Sequence, residues 1–269
     1  MPQLLLLWVL SLESQGLLVS VQVNDVTVYS KDGGILSSYS EKINPLLFSG
    51  DNEVRIQLGL PSPPSPKKRS RAPNQSPQNS QEAPVFTLTL QKGEQGKDPG
   101  QEGSLLRFEW DSKLMPLTPG EMKTVFEGKF QVQPLPFPPP PWSQIPPIQV
   151  DRPALETFVR EYASALRKRD VQTLTTLNAP KSQELSRSLG LDPARMTQGF
   201  QGFLESLMSA KNWSVSVAPT LEFKLEGKAR LVRITSARGS APITATSEAN
   251  TIPFDITVSF IGGAWRLVR

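Results

Sequence analysis

Eight of the fourteen residues from Pro134 to Pro147 are proline. Proline fixes φ and donates no amide hydrogen, so neither a helix nor an interior strand is expected to run through such a segment. Residues before it alternate apolar and polar with period two, while residues after it show helical periodicity first and strand periodicity later. The break predicts two domains, 1–133 and 149–269, joined by a proline-rich linker over 134–148. Consecutive prolines favour an extended polyproline II rod that spaces folded units, and a run of this kind also suits an aromatic-lined groove. Trp142, inside the run, is expected to pack against one of the domains.

The 269 residues suffice for two cores, and 38% hydrophobic with 20% charged side chains is ordinary for a folded chain. Cysteine and histidine are both absent. That excludes disulfides, thiolate nucleophiles, Ser-His-Asp and Cys-His catalysis, and metal sites built on thiolate or imidazole. No cofactor motif is present, so no cofactor and no metal are expected. A cysteine-free chain suits an oxidising compartment, and a periplasmic or otherwise extracytoplasmic location is expected, with the cytoplasm as the alternative. Residues 1–150 carry 13 basic and 14 acidic side chains and residues 151–269 carry 16 and 11, so the basic excess lies in the second half.

Leu4 to Leu10 has the apolar character of a signal-peptide core with Ser14-Gln15-Gly16 as a cleavage site, but the usual basic start is missing. Trp8 to Glu13 also reads as a strand turning at Ser14-Gln15-Gly16 into Leu17 to Val23, a hairpin. No apolar segment is long enough to span a bilayer as a helix. Further strands are expected at 26–29, 53–58, 85–90, 105–110 and 124–132, with Asn24-Asp25 as a hairpin turn, since both residues tolerate positive φ. Short strands and turn-rich joints predict an antiparallel β-sandwich. Residues 61–84 hold almost no apolar side chain and are expected to form a disordered loop. The basic cluster Lys67 to Arg71 within it lacks the interleaved aromatics of a nucleic-acid site, so no nucleic-acid partner is expected. A second polar loop is expected over 92–103.

The stretch Val21 to Val26, followed by Ile43-Asn44-Pro45-Leu46-Leu47 and Gly50 to Ile56, resembles the jelly-roll modules of bacterial carbohydrate-active enzymes. Asp25 stands where that pattern has glycine. The resemblance implies sugar binding through Asn44, Asp51 or Asn52, although Gly50-Asp51-Asn52 also reads simply as a tight turn.

In the second half Asp151 is an N-cap, Pro153 sits in the first turn, and Leu155, Phe158, Val159, Tyr162, Ala163 and Leu166 form one helical stripe. A short helix over 171–177 is expected to end before Pro180, a third to cover 182–189, and a fourth to start at the Asp192 cap and carry Met196, Phe200, Phe203, Leu204 and Leu207 on one side. Strands are expected at 213–217, 220–225, 229–234, 252–260 and 264–269 as an antiparallel meander, with turns at Glu226-Gly227 and Gly262-Gly263. The fold class is therefore two-domain α+β.

Phe158, Tyr162-Ala163, Ala165-Leu166 and Asp170, with the closing Gly263-Ala264-Trp265-Arg266-Leu267, resemble the NTF2-like superfamily over residues 151–269. The resemblance implies a cone of helices on a bent antiparallel sheet, enclosing an apolar pocket. Its lining would be Tyr162, Phe200, Phe203, Phe223, Phe254 and Trp265, which equally describes a filled core. For catalysis such a cone would use Asp255 as base with Tyr162 as donor. Alternation, however, puts Asp255 on the Thr257 side of its strand, towards solvent, so no catalytic residue is expected. The expected function is that of a non-catalytic envelope protein binding a partner protein or a small apolar ligand, with a homodimer through the C-terminal sheet. An NTF2-like enzyme using Asp255 and a glycan-binding sandwich are the alternatives.

Overall fold

Alternation in the first half translates directly into ladders of the computed structural model, which describes residues 6–32, 36–62, 83–94, 104–248 and 250–269. Among them are fifteen strands in four antiparallel sheets and three α-helices, a mixed α+β architecture. The chain divides into two compact units, Met1–Leu135 and Pro136–Arg269. Most of the expected loop 61–84, the Lys67 to Arg71 cluster and residues 95–103 lie outside the described residues.

The first unit contains β1 (Leu6–Gln15), β2 (Leu18–Val23), β3 (Val26–Asp32), β4 (Ser37–Lys42), β5 (Gly50–Gly59), β6 (Val85–Glu94), β7 (Ser104–Glu109) and β8 (Met122–Val132). They form two sheets, β4-β1-β6-β7 and β3-β2-β5-β8, in a sandwich-like arrangement. Val19, Val21 and Val23 of β2, Val54, Ile56 and Leu58 of β5, and Phe86, Leu88 and Leu90 of β6 are all buried. Asn24 and Asp25 take φ of 52° and 64° to turn β2 into β3, as their chemistry predicts.

The expected β1–β2 hairpin does not form. β1 pairs β4 on one edge and β6 on the other, and β2 pairs β3 and β5, so neither keeps an edge for its sequence neighbour. The chain crosses from one sheet to the other at Gly16, whose φ is +67°. Strand β4 was not expected, because Ser37-Ser38-Tyr39-Ser40-Glu41-Lys42 alternates without aliphatic residues; it is an edge strand.

In the second unit α1 (Arg152–Lys168) is capped by the Asp151 carboxylate, which accepts the Ala154 amide at 3.1 Å. Its stripe of Leu155, Phe158, Val159, Tyr162, Ala163 and Leu166 is buried. Helix α2 (Val171–Ser188) starts at Asp170, whose carboxyl is held below its usual range by the Thr173 amide and hydroxyl. It runs through Pro180 as one helix, where two were expected. Proline removes one ladder bond from a helix. Leu174 and Asn178 before it and Ser182, Glu184 and Ser186 after it are all buried, so packing on both sides sustains the helix. Helix α3 (Pro193–Met208) begins at the Asp192 cap, as expected.

Seven strands follow: β9 (Ser214–Val217), β10 (Leu221–Glu226), β11 (Leu231–Ser236), β12 (Ile243–Thr246), β13 (Thr251–Phe254), β14 (Ile256–Ile261) and β15 (Ala264–Leu267). They do not form a single meander. One sheet has the order β10-β11-β14-β15 and the other β13-β12-β9. The expected strand 252–260 is broken at Asp255, where the chain passes from one sheet to the other. Strand β12, Ile243-Thr244-Ala245-Thr246, was not expected. Between β14 and β15, Gly262 and Gly263 at φ of 62° and 80° make the expected tight turn.

One core unites the α1 stripe with Leu174, Leu204 and Met208 from the other helices and Val232, Ile234, Ile243, Ile256, Val258 and Leu267 from both sheets. Trp142, in a short 3-10 turn over Pro141–Gln144, is 1% exposed. Among the bonds that tie its segment down, the Arg230 guanidinium donates to the Ile145 carbonyl and the Ile148 amide to the Ala229 carbonyl, both at 2.7 Å.

Candidate functional site

Five of the six aromatic residues singled out from the sequence meet one core cluster, Tyr162 as a member of it and Phe200, Phe223, Phe254 and Trp265 packed against it. Tyr162, on the inward stripe of α1, is in the core at 3% exposure. Its hydroxyl accepts the Asn178 amide at 3.1 Å, and its ring lies 6.2 Å from that of Phe254. Burial pushes its pKa up, and the Asn178 bond partly opposes this. The other five stand at the margin. Phe200, Phe223, Phe254 and Trp265 are partly buried and pack against the core cluster. Phe203 is 53% exposed and stacks on Phe200 with ring centres 6.5 Å apart.

Local structure accounts for these positions. On α3 the residues that enter the core are Leu204 and Met208, one side of the helix. Met196, Phe200, Phe203 and Leu207, spaced four, three and four apart, run along the adjoining side, and all keep some exposure. Phe223 lies on edge strand β10 and receives the Arg152 guanidinium over its ring at 5.1 Å. Trp265 is opposite Phe260 in the β14–β15 ladder, their rings edge-on at 5.3 Å. Phe260 is itself 42% exposed.

Asp255 is exposed at the junction of β13 and β14 and makes no hydrogen bond with Tyr162, whose hydroxyl is engaged by Asn178. The pair considered for base and donor is not assembled.

The asparagines of the first unit have a different task. Asn44 and Asn52 are fully buried. The Asn44 carboxamide accepts the Trp8 amide and donates to the Leu6 carbonyl, both at 2.9 Å. Asn52 accepts from the Phe48 amide and donates to the Phe48 and Gly50 carbonyls. It also accepts the Asn24 side chain at 2.8 Å, while Asn24 takes the Glu53 amide and donates to the Leu46 carbonyl. These side chains satisfy backbone groups where the chain leaves the ladders. Asp51 is exposed and accepts from Gln131.

Two buried carboxyl side chains were not anticipated, Glu184 on α2 and Glu226 at the end of β10. Glu184 on α2 is 5% exposed and accepts the Trp142 indole N–H at 3.1 Å. Burial pushes its pKa up to about 7, opposed by the indole bond and by the positive charges of Arg269 and Arg187. Glu184 becomes visible only when 171–188 is drawn as one helix, which places it seven residues from Leu177 on the same face.

Comparison with models of protein families, with curated proteins and with solved structures finds no match to this chain.

Proposed function

We propose that this chain is a non-catalytic binding protein whose second unit, an NTF2-like cone of helices on its two sheets, holds a partner protein through the aromatic residues at its margin. The observation that carries this reading is the division of labour between side chains. Leucine, isoleucine and valine fill the core cluster together with Phe158 and Tyr162, and Trp142 is buried outside that cluster, whereas Phe200, Phe203, Phe223, Phe254, Phe260 and Trp265 all stay in part at the solvent boundary. Aromatic side chains present a large, rigid apolar area with few rotors and are enriched in protein contacts, where they supply much of the binding energy. An arrangement that filled an internal pocket with a ligand would place the same rings inward. Catalysis by Asp255 draws no support from its exposed position, and glycan binding draws none from Asn44 and Asn52, whose polar groups serve the fold.

The test is site-specific photo-crosslinking in the cells that make the protein. A photoreactive residue at Phe203 or Phe260 is expected to trap another polypeptide, whereas the same residue at exposed Arg160 is expected to trap none. Equal trapping at all three positions, or none at any, contradicts the reading.

A further inference from the structure

We propose that β10 is the edge through which two copies of this chain join, antiparallel about a two-fold axis at Phe223, so that their β10-β11-β14-β15 sheets run on as one. This places the homodimer expected through the C-terminal sheet on one strand and in one register. It draws on none of Phe203, Phe260 or Trp265, which lie on other elements.

The first observation is an open edge. The two sheets of the second unit end in four strands, β10, β15, β13 and β9. Three of them are obstructed: β13 contains Pro253, the Val215 carbonyl of β9 accepts from the Arg167 guanidinium at 3.2 Å, and β15 packs with α2. Among the described residues β10 pairs with β11 alone, in unbroken register, and it holds neither proline nor glycine. An edge strand of this kind presents a row of backbone N–H and C=O groups to any strand that can lie beside it.

The second observation is the order of its side chains, Leu221-Glu222-Phe223-Lys224-Leu225-Glu226. Residues directly opposite each other in a ladder share a face. With the axis at Phe223, Glu222 of each copy lies opposite Lys224 of the other and Leu221 opposite Leu225, each pair formed twice. Other registers fail. An axis at Glu222 or at Lys224 sets that charge against its own kind, an axis between two residues sets charged side chains against apolar ones, and in-register parallel pairing repeats like against like.

The third observation is what the strand meets in its own chain. Lys224 stands opposite Arg233 of β11, a like charge, and its contact with Glu226 is long at 4.0 Å. Glu222 is exposed, stands opposite Thr235, and has no ion pair among the described residues. A second copy supplies a carboxylate to each Lys224 and an ammonium to each Glu222. On the other face Leu225 is 41% exposed, with Leu221 and Phe223 partly covered, and the pairing sets a leucine beside each Leu225.

The test is sedimentation equilibrium of the full chain. The wild type is expected to weigh twice its 29.6 kDa. Glu222→Lys and Lys224→Glu are each expected to weaken association roughly tenfold, and the two together to restore it, because the double exchange swaps the signs and keeps the pairing. Both side chains are exposed, so the variants keep the fold. Copies carrying Glu222→Cys mixed with copies carrying Lys224→Cys are expected to form a disulfide faster than either variant alone, a selective readout because the chain has no cysteine of its own. A monomeric wild type, single exchanges without effect, a double exchange that fails to restore the dimer, or disulfides no faster in the mixture overturns the proposal. Trapping at Phe203 or Phe260 is read on separate elements, so none of these results decides the reading of the aromatic margin.

Discussion

Replacing Glu184 with glutamine isolates the effect of burying one carboxyl beneath Trp142. The side chain is 5% exposed, and its pKa rises from the ordinary 4.5 to about 7. The folded unit therefore binds a proton that the unfolded chain releases between these values, so stability falls as pH rises. The contribution is fully present below about pH 4.5 and is lost as pH climbs through about 7. At about 1.4 kcal/mol per pKa unit, the loss amounts to about 3 kcal/mol by pH 8 or so. Glutamine has nearly the same shape, stays neutral, and still offers an oxygen to the Trp142 indole. Glu184→Gln should match the wild type near pH 4 and exceed it by about 3 kcal/mol near pH 8. Urea unfolding followed by hydrogen exchange of α2 peptides reads this unit separately from the other. A substitution that destabilises equally at both pH values refutes the reasoning, because the carboxyl would then be ionised and well paired throughout.

Three further outcomes follow from the same geometry. Trp142→Ala removes a ring that fills the space beside Gly227 and Leu231 and should destabilise the second unit by about 3–5 kcal/mol in urea unfolding; Trp142→Phe, which keeps bulk but loses the N–H, should cost about 1–3 kcal/mol and make the pH dependence steeper. Asn52→Ala strands several buried backbone groups and should lower first-unit stability by about 2–4 kcal/mol, against about 0.5 kcal/mol or less for exposed Asp51→Ala, measured by denaturant unfolding. Gly199→Ala and Gly202→Ala should each stabilise the second unit by roughly 0.5–1 kcal/mol in denaturant unfolding, since among the described residues nothing lies within 4 Å of where either Cβ would be.

What the sequence disclosed depended on whether local chemistry alone decides the outcome. The Asp151 and Asp192 caps, the α1 stripe, the Asn24-Asp25 turn and the Gly262-Gly263 turn are set within a few residues, and all appear where they were read. Which strands share a sheet is decided by distant partners. Period-two alternation in Trp8 to Glu13 and Val19 to Val23 marks strands but does not say that β1 and β2 enter different sheets. The same holds for 252–260, a continuous pattern that the fold divides at Asp255. Strands β4 and β12 were missed because each has a single large apolar side chain, Tyr39 and Ile243, and one such residue makes no period. Pro180 was read as a terminator, yet tertiary packing on both of its sides outweighs one lost hydrogen bond.

The candidate site was legible only in composition. The sequence picked out the aromatics, but not that aliphatic side chains would take most of the interior and leave Phe200, Phe203 and Trp265 at its edge. A stripe reading of α3 puts Met196, Phe200, Phe203, Leu204 and Leu207 on one buried side. The structure turns the helix so that Leu204 and Met208 enter and Phe203 faces out. Asn44 and Asn52 look alike as ligands or as clamps in the sequence; their contacts with main-chain groups distinguish the two.

The claim that the second unit offers its marginal aromatics to another polypeptide is tested most directly by photo-crosslinking in the cells that make the protein, with the photoreactive residue at Phe203 or Phe260, both exposed. The account predicts a trapped polypeptide from both positions and none from exposed Arg160. Trapping from none of the three, or equally from all of them, would contradict it.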